Sequence, residues 1–197
     1  LGGMRIGVAV RLLVVMTLLL GGIYPALVWV GGRLLFQDQA AGSLVKNEKN
    51  EVIGSSLIGQ KFNSEIYFWG RPSASDYSGA TSGGTNLGPT SQSLLKEVED
   101  REKYLREKHP AEEAGRIPDE LLFASGSGLD PHIAPDTARF QLKRVIQARK
   151  FSKKQAYDLT EAIEKLTEQP QWEVLGEARI NLLRLNQELD RIASQNY

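Results

Sequence analysis

Between Leu12 and Gly32 the chain runs LLVVMTLLLGGIYPALVWVGG, twenty-one residues without a charged side chain. As a helix this stretch reaches about 31 Å, close to the hydrocarbon thickness of a bilayer. A core helix of a soluble domain rarely needs so long an apolar run. A cleavable signal peptide fits the charged flank of Arg5 and Arg11, but its apolar core should last about 7–15 residues and end in a small-x-small site. Here the run continues through Tyr24, Leu27, Val28, Trp29 and Val30, and no Ala-x-Ala follows. The segment 12–32 is therefore expected to be an uncleaved anchor, with Trp29 near one interface.

The flanking charges give its expected orientation. Arg5 and Arg11 precede the span, and Arg33 is the sole basic residue in the dozen that follow it; Lys46 and Lys49 lie further off. The positive-inside rule places residues 1–11 in the cytoplasm and the long remainder outside. Within the span, Gly21 and Gly22 precede Tyr24 and Pro25, and Gly22 with Ala26 makes a small-xxx-small pair that lets another helix approach closely. Pro25 is expected to kink the helix and free a backbone carbonyl. A lone anchor needs neither feature, so Gly22, Tyr24, Pro25 and Ala26 are the expected packing surface for partner helices.

The mean hydropathy of −0.29 averages this span with a very different remainder. Residues 34–197 carry 21 of the 24 basic residues and all 24 acidic ones, a net charge of −3. That balance argues against a nucleic-acid partner or a polybasic lipid surface. Residues 33–50 look like a connector, and 51–197 like one α+β domain with a small early sheet and later helices. Val52-Ile53, Leu57-Ile58 and Ile66-Tyr67-Phe68-Trp69 are the candidate strands. Residues 73–91, SASDYSGATSGGTNLGPTS, should be a long loop pinned by Tyr77 and Asn86. Gln92–His109 reads as a charged helix with Leu94, Val98 and Leu105 on one face, followed by a helical turn at Asp119–Phe123. Asp130-Pro131 suits an N-cap and first helical position, before Ala138, Leu142, Val145 and Ile146 at helical spacing. Ser152 and Gln155 form a capping box for a helix bearing Ala156, Leu159, Ile163 and Leu166. A last helix is expected from about Ile180 to Ile192, with Leu182, Leu185, Leu189 and Ile192 aligned.

Reactive chemistry is scarce. Cysteine is absent and there are two histidines, His109 and His132, so neither a thiolate nor a zinc centre is expected. Ser82-Gly83-Gly84-Thr85-Asn86-Leu87-Gly88 could cradle an anion, but Pro89-Thr90 stands where a phosphate loop needs Lys-Ser or Lys-Thr; the glycines are expected to supply positive φ instead. Gly126-Ser127-Gly128 fails the hydrolase pattern, with Ala124 in the first glycine's place. His132 lies near Asp130 and Asp136 and suits a local pair rather than a triad. His109, ending a helix, suits a C-terminal cation. Glu97, Glu99, Asp100, Glu102, Glu112 and Glu113 interleave with Lys96, Arg101, Lys103, Arg106 and Lys108, and read as a solvated, mutually screened face. The residues by themselves describe an anchored, extracytoplasmic, non-enzymatic domain built to associate.

The loops are distinctive. Gly54-Ser55-Ser56-Leu57-Ile58-Gly59-Gln60-Lys61-Phe62, Tyr67-Phe68-Trp69-Gly70-Arg71-Pro72-Ser73-Ala74, the glycine stretch from Ser82 to Thr90, and Ala124-Ser125-Gly126-Ser127-Gly128-Leu129-Asp130-Pro131-His132-Ile133 occur in that order. With Gly22-Ile23-Tyr24-Pro25, Gly176-Glu177-Ala178-Arg179-Ile180-Asn181 and Leu185-Asn186, the chain resembles the KdpC family of potassium-transporting P-type ATPase subunits. Ala134 and Ala178 depart from that family's frequent Ser and Pro, touching local capping and turn geometry.

The resemblance implies a single-pass subunit of the bacterial inner membrane with a periplasmic domain. Its implied partners are a channel-like potassium-binding subunit, a P-type ATPase subunit and a small fourth subunit, besides membrane lipid. It implies assembly, stabilisation and a chaperone-like rise in the pump subunit's ATP affinity, with no catalytic, metal or cofactor residues of its own: ATP, Mg and K act on the complex. A periplasmic domain can affect ATP binding only indirectly; the alternative is a direct nucleotide-binding chaperone, which needs a cytoplasmic domain. The loops 67–91 and 124–133 are the expected cover over the channel subunit, with Tyr67, Trp69, Arg71, Asn86, Asp130 and His132 as candidate contacts.

Overall fold

A computed structural model describes residues 2–47, 49–109 and 115–195; Glu112 and Glu113 of the charged face lie outside them. The chain divides into two compact units, Leu1–Leu44 and Val45–Tyr197. It is α+β, with one N-terminal apolar helix, small sheets and several further helices.

The first unit is built on a near-continuous helix. Helix α1 (Gly2–Leu18) runs into a π-helical turn at Leu19–Ile23 and then α2 (Tyr24–Leu35). Ile6–Leu35 is long and apolar enough to cross a membrane, and none of it is buried within the chain. The helical stretch thus outruns the uncharged core at both ends, because helix propensity does not stop at the first charge. At Pro25 the backbone stays helical: Ile23 and Tyr24 keep right-handed angles, and the Tyr24 N–H reaches back to Leu19 O. The widened turn lies immediately before the ring, where a π-bulge relieves the clash that proline otherwise makes with the preceding turn. Arg33 lies over the Trp29 ring at 5.6 Å. A short helix α3 (Gln37–Ala40) follows.

In the second unit, three helices carry the main core. Helix α6 (Pro135–Arg149) and helix α8 (Leu182–Ser194) both pack on α7 (Lys153–Leu166), through Ala138, Val145, Leu159, Ile163, Leu185, Leu189 and Ile192. The expected capping box is present: the Ser152 hydroxyl accepts from Gln155 N–H, and the Gln155 side chain accepts from Ser152 N–H. Helix α4 (Gln92–Lys108) starts from a Ser91 cap and, with α5 (Asp119–Leu122), closes a second cluster of Trp69, Leu105, Ile117 and Leu121.

Strands occur early and late. β1 (Leu44–Lys46) and β2 (Val52–Ser55) pair, while β3 (His132–Ile133), β5 (Arg179–Asn181) and β4 (Thr167–Glu168) form an antiparallel sheet in that order. β1 lies inside the expected connector, so ordered structure begins before residue 51.

Three expected elements are corrected. Leu57-Ile58 is a turn rather than a strand. Helix α6 begins at Pro135, not Pro131, because Asp130 Oδ1 takes the His132 N–H in a local turn and Pro131 O accepts from Leu182 N–H beside the sheet. Ala134 caps α6 without a side-chain acceptor; the Glu120 carboxylate instead takes both Ala134 N–H and the Thr137 hydroxyl. The last helix begins two residues late, since Ile180 is in β5 and Asn181 serves as the N-cap of α8.

Candidate functional site

A further correction lies at the centre of the domain. Ile66–Trp69 has strand-like composition but is not a strand. Its peptide groups pair with side chains. Phe68 N–H donates to Asn186 Oδ1 at 2.9 Å, and Asn186 Nδ2 donates to Phe68 O at 3.0 Å. Gln141 does the same for Trp69, at 2.8 and 3.0 Å. Arg144 donates to the carbonyls of Glu65 and Tyr67. Each buried amide thus replaces a neighbouring strand, satisfying donor and acceptor together where an orphaned group costs about 1–3 kcal/mol. Phe68 is fully buried as a result.

Past Trp69 the chain emerges into the loop junction. Arg71 Nη1 meets Asp130 Oδ2 at 3.1 Å, and Asp130 Oδ1 accepts the His132 N–H at 3.0 Å, with His132 Nδ1 at 3.7 Å. Burial pushes the Asp130 carboxyl up, yet the hydrogen bonds from His132 and the Arg71 charge together hold it below its ordinary value. Tyr77 donates its hydroxyl to Arg71 O; burial, with Asp130 and Asp76 nearby, pushes that phenol up to about 12.

The two glycine-rich loops are stitched to each other. Gly83 N–H donates to Ser127 O at 2.8 Å, Ser73 Oγ to Gly128 O at 2.6 Å, and Ser125 N–H to Pro72 O at 3.0 Å. Gly83, Gly84 and Gly88 do not adopt left-handed angles as expected; Asn86 does, at φ 55°. The glycine that needs the conformation is Gly128, at φ +69°, where a Cβ would lie 2.7 Å from Ser75 Oγ and 2.9 Å from Gly83 O. Gly128→Ala should therefore cost roughly 1–3 kcal/mol in a denaturant melt. Gly59 is fixed by contact instead, a Cβ there meeting Asp130 O at 2.5 Å.

Two clefts flank this junction. One, of about 250 Å³, is lined by Lys61, Trp69, Arg71, Tyr77, Arg101 and Tyr104 among others. The other, of about 340 Å³, is lined by Glu120, Asp130, His132, Glu177 and Arg179. Of the candidate contacts, Arg71, Asp130 and His132 are brought together. Tyr67 and Trp69 belong to the packed segment behind them, and Asn86 is exposed further along the loop. Asp136 pairs with Arg139 at 2.7 Å rather than with His132, and Ser127 Oγ accepts the Leu129 N–H. The charged face of α4 is self-paired where Glu97 meets Arg101 and Glu102 meets Arg106. Among the described residues no cluster of His, Asp or Glu is arranged to hold a metal ion.

Sequence reasoning missed Gln141, Arg144 and the role of Asn186. For two of them the signal was present: Gln141 interrupts an apolar helix stripe between Ala138 and Val145, and Asn186 one between Leu182 and Leu189. His109 is corrected as well. It is buried, and its Nδ1 lies 2.7 Å from Leu105 O. Burial lowers its proton affinity, so it is no surface cation.

The family model described as "KdpC: K+-transporting ATPase, c chain" matches residues 6–191, covering both the apolar helix and the loop junction. The chain belongs to the KdpC family. It is 46% identical over 187 residues to the potassium-transporting ATPase KdpC subunit of Geobacter sulfurreducens, covering 93% of this chain and 96% of that one. The KdpC subunits of Geotalea uraniireducens and Methylococcus capsulatus are each 44% identical, over 94% and 93% of this chain and 96% of each relative. The region matched to KdpC includes Arg71, Gly128 and Asp130 of the loop junction and Asn186, which holds Phe68.

Proposed function

We propose that the chain is a single-pass, non-catalytic subunit of an ATP-driven potassium uptake complex, acting by contact on a channel-like subunit, a P-type ATPase subunit and a small fourth subunit. The observation that carries this reading is the family match running unbroken from the apolar helix through the domain. ATP hydrolysis then belongs to the pump subunit, and this chain assembles and stabilises its partners. Any rise in ATP affinity is transmitted through a shifted conformational equilibrium, a coupling typically of about 1–3 kcal/mol.

The helix crosses the bacterial inner membrane with residues 1–11 cytoplasmic and the α+β domain periplasmic. The basic flank before the span supports that orientation. Gly22, Tyr24, Pro25 and Ala26 pack against partner helices; a Cβ added at Gly22 meets nothing within 4 Å of its own chain, so its surface is free for a neighbour. Gly22→Leu is expected to release the chain from detergent-solubilised complex during affinity purification, and undiminished co-purification would count against this interface. The loops around Arg71, Asp130 and His132 face the channel subunit. Direct nucleotide binding finds little support, because the Gly83 N–H in the glycine-rich loop is already spent on Ser127 O.

A further inference from the structure

Behind the 65–69 segment lies a buried histidine that the proposed function leaves unused. The His109 ring sits 4.5 Å from the Phe140 ring and 5.9 Å, edge-on, from Trp69. Leu105 O is an acceptor only, so Nδ1 carries the proton in that 2.7 Å contact. Arg144 has donors only, and its Nε lies 3.3 Å from His109 Nε2, so Nε2 must present its lone pair. Both contacts require the same neutral tautomer, and they use both ring nitrogens.

Arg144 is the clasp on the segment. It donates to Glu65 O, to Tyr67 O at 3.0 Å and to Gln141 Oε1 at 2.8 Å, and its guanidinium lies 3.8 Å over the Trp69 ring. Gln141 in turn holds both peptide groups of Trp69. A proton on His109 Nε2 would set N–H against N–H and cation against cation at 3.3 Å. Among the described residues the other charged or titratable groups offer no relief. Lys108, beside it on α4, is paired with Glu65 at 2.7 Å. Glu65 acts on Arg144, whose own pKa burial lowers to about 10. Tyr104, one turn back on α4, stacks on Trp69.

We propose that His109 is an acid-sensitive latch: its protonation expels Arg144, frees Glu65, Tyr67 and Trp69 from α6 and opens the aromatic wall of the cleft lined by Trp69, Tyr104 and Leu105, while Phe68 stays clasped by Asn186 and the α7–α8 core stays folded. Burial, with Arg144 adding to it, holds the imidazole below its ordinary value in the closed form. The sign follows from linkage. The closed form is fully favoured above the free imidazole value near about 6.5, and is lost as pH falls below it towards the closed-state value. Over that window the opening constant should rise about tenfold per pH unit. Glu65 titrates in the lower carboxylate range and cannot produce a response that begins near 6.5.

The inference goes beyond the proposed transport role, and its test does not depend on topology. Hydrogen exchange of the full chain in detergent, corrected for intrinsic pH dependence, is followed by mass spectrometry between about pH 7.5 and about pH 4.5, a range that brackets the free imidazole value. Peptides covering 64–71 should gain about tenfold in opening per unit below about pH 6.5, while peptides covering 183–192 stay within about twofold. His109→Gln should flatten the response. In the wild-type chain, the His109 imidazole resonance should titrate below the free imidazole value, a readout that needs no variant. Unchanged protection of 64–71, loss of α8 protection in step with it, an acid response surviving in His109→Gln, or a His109 resonance that titrates at or above the free imidazole value would each overturn the latch.

Discussion

Asn186→Leu should lower the unfolding free energy of the α+β unit by roughly 2–6 kcal/mol, a large part of the stability of an ordinary domain. Leucine has the same branched four-atom side-chain shape in a stripe that is otherwise Leu182, Leu185 and Leu189, so an apolar-core argument alone predicts a neutral or stabilising change. The cost arises elsewhere. Phe68 N–H and Phe68 O are buried 118 residues away in sequence and take their partners from this one amide. Leucine would leave both unsatisfied, at about 1–3 kcal/mol each. Urea melts of the full chain in detergent, followed by tryptophan fluorescence, should show a lower midpoint at unchanged slope. A midpoint equal to wild type would mean that water reaches Phe68 and that the amide clasp is not what holds the segment.

Phe68→Ala should cost about 3–5 kcal/mol, the usual range for emptying a fully buried phenylalanine site. The ring is 0% exposed and packs among Ile133, Ile180, Leu182 and the α7–α8 side chains of one cluster. Little can collapse into the space, because the neighbouring backbone is fixed by Asn186 and Gln141. Trp172→Ala is the matched control. That larger ring is 83% exposed, and its removal should change stability by less than about 0.5 kcal/mol. Equal effects from the two variants would contradict this assignment of the core.

The contrast between Phe68 and Trp172 shows what sequence patterns could and could not reveal. Helices α7 and α8 were legible because Leu159 and Ile163, or Leu185, Leu189 and Ile192, repeat at a helical period over several turns. The Ser152–Gln155 box was legible because its two hydrogen bonds are local. The apolar run 12–32 was legible by length alone, although the span long and apolar enough to cross a membrane reaches from Ile6 to Leu35. Ile66–Trp69 misled because β-branched and aromatic residues signal burial of an extended chain, not the identity of its hydrogen-bond partner. That partner came from helices far along the sequence. The three-stranded sheet was invisible for another reason: strands of two or three residues are too short to show an alternation.

The loop junction was half legible. The composition of 73–91 and 124–133 marked both loops, and the family resemblance singled out Arg71, Asp130 and His132. Their meeting through the 3.1 Å Arg71–Asp130 contact depends on tertiary folding. Pro131 and Pro135 show the same limit at a helix start. Asp130 before proline looks like a cap, but its carboxylate is shared between Arg71 and His132, so the helix waits for the next proline.

The central claim is that an apolar helix holds a contact-making domain on the far side of the membrane from ATP. Because the chain lacks cysteine, a single Ser93→Cys on the exposed side of α4 provides a clean topological marker. Spheroplasts and inverted vesicles are treated with a membrane-impermeant maleimide and the labelled fractions compared. Labelling in spheroplasts, with protection in inverted vesicles, is the predicted result. Labelling confined to inverted vesicles would put the domain beside the nucleotide and contradict the account.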